Sequence, residues 1–90
     1  MTRIARTVTI ANKRGLHARA SAKFVTLASA QPCEVMVEKD GAAVTGTSIM
    51  GLMMLGAAIG DTITICASGS GADRAVAELA ALVEAKFGEE

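Results

Sequence analysis

The stretch "CEVMVEKDGAAVT", residues 33–45, decides the fold. Cys33, Val35 and Val37 alternate with Glu34, Met36 and Glu38, the period-two pattern of a strand with one face buried and one wet. Asp40-Gly41 follows, a dipeptide suited to the positive φ angles of a two-residue hairpin, and a short strand is predicted over 42–46. The sheet is therefore antiparallel at this point. Such a sheet needs a cover on one face only.

Working outward, Pro32 closes a helical region on the N-terminal side, where Phe24, Leu27 and Ala28 recur at helical spacing within 18–30. Before it, residues 3–10 put Ile4, Val8 and Ile10 on one strand face, interrupted by Arg6. On the C-terminal side, Ser48 precedes the apolar run "IMGLMMLGAAI", so it suits the N-cap of a short helix over 49–56. "DTITICA", 61–67, alternates again, with Ile63, Ile65 and Ala67 on one face. Ser70 stands three residues before Asp73 in capping-box spacing, and a last helix over 72–87 carries Val76, Leu79, Val83 and Phe87 on one stripe. The order β-α-β-β-α-β-α implies an α+β fold in two layers. Residues 1–90 read as a single domain, with no linker or internal repeat.

Composition narrows the function. Nine basic and nine acidic residues give a net charge of zero, so no long-range field draws the chain to nucleic acid or anionic lipid. Aromatic residues are limited to Phe24 and Phe87, which leaves an RNA-reading sheet without stacking platforms. Residues 49–59 are too short and glycine-rich for membrane insertion, and the N-terminus lacks the apolar run of a signal peptide. Cys33 and Cys66 lie far apart, without metal-ligand spacing, so no metal is expected; with no secretion signal they fit a reducing, cytoplasmic setting.

The remaining chemistry concentrates in "NKRGLHARAS", 12–21. His17, the only histidine, falls where the strand pattern has ended and the helical pattern begins. The first amides of a helix lack intrahelical partners and carry partial positive charge, so they bind anions readily. Gly15 permits an unusual backbone entry, and Arg14 and Arg19 bring guanidinium groups suited to phosphate oxygens. A neutral imidazole there can act as a nucleophile toward phosphorus; equally, it can be a helix cap or a surface group. Spacing alone leaves both open.

"GLHARAS" together with "TSIMGLMMLGA", 47–57, resembles the HPr family, the histidine phosphocarriers of the bacterial phosphotransferase system. The likeness runs over nearly the whole chain in the same element order. It implies an open-faced β-sandwich, with a four-stranded antiparallel sheet covered on one face by three helices. It also implies a phosphoryl carrier rather than an enzyme. In such a carrier His17 accepts on Nδ1 a phosphoryl group that Enzyme I draws from phosphoenolpyruvate, and passes it to enzyme IIA proteins. Arg19 takes the place of the phosphate-stabilising arginine, and the Ala18 and Arg19 amides supply further donors. No cofactor is implied, and the carrier is expected to be a monomer. Ala20 stands where the family usually has proline, a change that softens the helix start slightly. "NK" before the histidine and "LMML" in the second helix resemble the nitrogen-branch relatives, NPr, so sugar transport and nitrogen regulation both stay open.

Ser48 matches the regulatory serine that HPr kinase/phosphorylase modifies in some bacteria, yet an N-cap role explains the residue alone. The resemblance also marks Ile49, Met50 and Met53 as a partner-binding patch, with Leu52 and Leu55 packing inward. Methionine suits surfaces that meet several partners, and it also fills sparse cores. A non-phosphorylated regulatory module using only this patch is the alternative function.

Overall fold

The computed structural model describes residues 3–89. Strands β1 (Arg3–Thr9), β2 (Glu34–Lys39), β3 (Ala42–Thr45) and β4 (Thr62–Ser68) form one antiparallel sheet in the order β1-β4-β2-β3. Helices α1 (Ala18–Ser29), α2 (Ile49–Met54) and α3 (Ala72–Glu84) accompany it, and a 3-10 turn spans Lys86–Gly88. This is the open-faced α+β sandwich implied by the sequence.

The hairpin forms as its dipeptide dictates. Asp40 and Gly41 take φ values of 50° and 85°, and Lys39 pairs with Ala42 across them. Val35 and Val37 face the helices opposite Ala67 and Ile65 of β4, and all four are buried. Phe24 of α1, Leu52 of α2 and Leu79 of α3 close over them, each fully buried. Apolar burial of this kind is the main stabilising term in so small a fold.

Three local expectations need correction. Ser70 does not cap α3: Gly71 occupies the N-cap at φ 78° without a side-chain bond, and Asp73 instead accepts from the Arg74 amide. The last helix stops at Glu84, not at residue 87. Lys86 and Phe87 both take left-handed angles, φ 59° and 54°, which turn the chain back while keeping the Phe87 ring in the core. Finally, the open face is not uniformly wet. Cys66 is buried there, covered by Arg3 and Glu38 from the flanking strands, which are ion-paired at 3.0 Å. Burial and the nearby Glu38 carboxylate push the Cys66 thiol up, away from reactive thiolate.

Arg6, the interruption in β1, has a simple account. It lies on the helix side of an edge strand and reaches past the sheet to Glu84 of α3, at 3.4 Å.

Candidate functional site

His17 is the N-cap of α1. Its backbone is extended, at φ −71° and ψ 178°, and its Nδ1 accepts from the Arg19 amide at 3.2 Å. A ring nitrogen that accepts a hydrogen bond holds a lone pair, not a proton. In this arrangement Nδ1 is the accepting nitrogen of the ring and Nε2 is left to donate. Nδ1 thus points at the unpaired amides of a helix start, where negative charge is best met. Ala18 opens the helix beside it, and Arg19 is exposed on the first turn. Ala20, buried completely, packs that turn onto the core.

The loop ahead of the histidine is tightly fixed. Gly15, at φ 65°, lies against the segment that follows α2, and the Leu16 amide donates to the Ala57 carbonyl at 3.0 Å. Ser21 Oγ donates back to the Leu16 carbonyl at 3.2 Å. His17 thus hangs between α1 and the chain leaving α2.

Two residues that sequence reasoning missed touch this site. Glu89 Oε2 accepts from His17 Nε2, and Glu89 Oε1 accepts from Asn12 Nδ2 at 3.1 Å. Asn12 is 1% exposed, and its Nδ2 also donates to the Gly15 carbonyl at 2.8 Å. The His17 hydrogen bond, reinforced by Asn12, holds the Glu89 carboxyl below the usual carboxylate range, against opposing desolvation. The one available signal was the glycine at 88, which marks a turn after the last helix.

Ser48 is the N-cap of α2, with φ −113° and ψ 109°, and its Oγ accepts from the Gly51 amide at 2.9 Å. Replacement by alanine leaves that amide without its side-chain partner. Ser48→Ala is expected to lower unfolding free energy by about 1 kcal/mol in urea denaturation, with the slope unchanged.

Beyond Ser48, α2 turns Leu52 inward, fully buried, and leaves Leu55 partly buried. Ile49, Met50 and Met53 lie outside, Met50 at 68% exposure. Met54, at 81%, and Ile59 extend the same apolar exposure past the three residues expected. A run this apolar on a six-residue helix cannot all be buried. Helices α1 and α2 pack against each other, so the exposed methionines belong to the helix neighbouring the histidine's own.

Comparison with known proteins shows the family. Residues 4–85 match the family model described as the PTS HPr component phosphorylation site. The chain is 44% identical to the phosphocarrier protein NPr of Shewanella violacea over 99% of its length and 98% of the relative's. It is 46% identical to the phosphocarrier protein HPr of Cupriavidus necator, covering 93% and 94% of the two chains. Among solved structures, HPr-C-His from Thermoanaerobacter tengcongensis superposes with a TM-score of 0.90 at 43% identity, covering 100% and 99%. With sequence, sheet order and full-length likeness in agreement, the chain belongs to the HPr family of phosphocarriers in the phosphotransferase system.

Proposed function

We propose that this protein accepts a phosphoryl group from Enzyme I on Nδ1 of His17 and delivers it to an enzyme IIA protein. The observation that carries this reading is the position of Nδ1, which accepts from the helix amide of Arg19.

The step follows from that geometry. The Nδ1 lone pair forms the N–P bond, and the electron pair of the breaking bond returns to the donor. The phosphoryl oxygens then lie where the Arg19 amide pointed, and that N–H, released from Nδ1, donates to an oxygen instead. The Ala18 amide and the Arg19 guanidinium supply further positive charge. Stabilisation by prearranged donors is the protein's main contribution to such a transfer. The acceptor reverses each step. The protein is regenerated, so it acts as a carrier rather than a catalyst.

The domain, residues 1–90, acts in this reading as a monomeric, cytoplasmic relay; no helix among the described residues is long and apolar enough to cross a membrane. Ile49, Met50 and Met53 form the docking patch for Enzyme I and IIA partners. A charge there desolvates badly against an apolar partner. Met50→Asp is expected to raise the KM for this protein in the Enzyme I reaction about tenfold while leaving kcat nearly unchanged. Steady-state kinetics with varied carrier concentration checks the split; an unchanged KM removes Met50 from the interface.

Phosphorylation of Ser48 belongs to the same reading as a regulatory event. A phosphate there brings about two negative charges to a helix start that tolerates them, changing recognition more than fold. ATP-dependent labelling by HPr kinase, lost in Ser48→Ala, tests it; without labelling Ser48 is a cap alone.

The experiment for the relay is incubation with Enzyme I, magnesium and phosphoenolpyruvate, then a chase with candidate IIA proteins. An acid-labile, base-stable phosphate that moves to one of them is expected. The acceptor that takes it identifies the sugar or the nitrogen branch. A protein that binds partners but takes no phosphate from any cognate Enzyme I is instead the regulatory module.

A further inference from the structure

The contact between Glu89 and His17 has no part in the transfer just described, yet it is built with care. Phe87 is buried in the core and the Lys23 ammonium donates to its carbonyl at 2.7 Å, so the chain beyond α3 is fastened before it reaches Glu89. Gly88, at φ 77°, completes the turn. From the other side, buried Asn12 donates both to Glu89 and to the carbonyl of Gly15, two residues before the histidine. The same asparagine thus ties the carboxylate to the loop that carries the ring. Asn12 Oδ1 is buried without a hydrogen-bond partner among the described residues. An unsatisfied buried amide oxygen costs stability, and such a cost persists where the group has another task.

We propose that Glu89 is a positioning residue for phosphoryl transfer, its carboxylate, held by Asn12, keeping the His17 proton on Nε2 and the Nδ1 lone pair free for phosphorus. The inference rests on the carrier reading and deepens it. When Nδ1 bonds to phosphorus, its lone pair is consumed and the ring, still bearing Nε2–H, gains positive charge. The Glu89 carboxylate opposes that charge directly, and no proton needs to leave. The arrangement is the logic by which a carboxylate sets the tautomer of a catalytic histidine, reached here from the segment that follows α3.

The test compares wild type with Glu89→Ala and Glu89→Gln. In the unphosphorylated proteins, 15N shifts of the His17 ring report the tautomer directly. Wild type is expected to hold Nε2–H alone; Glu89→Ala is expected to gain a measurable Nδ1–H population. Glu89→Gln keeps an acceptor oxygen and is expected to retain the wild-type tautomer while losing the charge. In transfer from phosphorylated Enzyme I, kcat is expected to fall roughly tenfold in Glu89→Ala with KM unchanged, and less in Glu89→Gln. An unchanged tautomer ratio or an unchanged kcat in Glu89→Ala overturns the inference. So does faster transfer, which makes the segment after α3 an obstruction. If wild type itself takes no phosphate, it is the carrier reading that fails, and the tautomer measurement still reports on the Glu89 contact.

Discussion

His17→Ala is expected to take no acid-labile phosphate from Enzyme I and phosphoenolpyruvate. The chain holds no second imidazole to substitute for it. The same substitution removes the acceptor for the Arg19 amide, so the variant is also expected to lose about 1 kcal/mol of stability. The two effects separate in His17→Asn. Asparagine is a good N-cap, so that variant should regain stability and still remain unlabelled. Labelling of either variant at wild-type level places the phosphate elsewhere.

The second large effect is at Gly15. A Cβ built there would lie 2.3 Å from the Ala57 carbonyl oxygen and 3.0 Å from Ala58 Cα, both backbone atoms. Its φ of 65° adds strain of about 1–2 kcal/mol for any residue with a side chain. Forcing the two segments apart costs about 1–3 kcal/mol more, as overpacking does. Gly15→Ala is therefore expected to lose about 3 kcal/mol in urea unfolding. It should also slow phosphoryl transfer, because the Leu16–Ala57 hydrogen bond that fixes the loop is adjacent. A loss below about 0.5 kcal/mol would mean that the loop shifts freely, contrary to its bonding.

Acid should act on the site through Glu89. Its folded pKa is depressed, so the contact stabilises above the ordinary carboxylate range and is lost as pH falls through the folded value. The cause is chiefly His17, with help from Asn12 and the Arg14 charge. In 13C-detected titration the Glu89 carboxyl is expected to protonate below the ordinary glutamate range, and to move upward in His17→Ala. A Glu89 curve that ignores His17→Ala contradicts the contact.

How far the sequence could be read depends on the range of the interactions. The hairpin at Asp40-Gly41, the Ser48 cap and the start of α1 are fixed by neighbours in the chain, and each was legible. The regular alternation of β2 and β4 located the core face for the same reason. Cys66 was misleading because its cover, Arg3 and Glu38, comes from other strands. Phe87 fitted the helical stripe at 76, 79 and 83 so well that the left-handed turn before it had no signature. That turn alone brings Glu89 to His17, across 72 positions of sequence. The half of the site at the start of α1 was thus written locally, and the half supplied by Glu89 was not. Ser70 failed for a smaller reason: Gly71 takes the cap position in a conformation that bypasses its hydroxyl.

In the proposed relay, Nδ1 of His17 receives the phosphoryl group. The most direct measurement is one-bond 31P–15N coupling in uniformly 15N-labelled protein after treatment with Enzyme I and phosphoenolpyruvate. A single phosphorus coupled to His17 Nδ1, with Nε2 still protonated, is the expected result. Phosphorus coupled to Nε2, or no phosphorus on the ring, would contradict it.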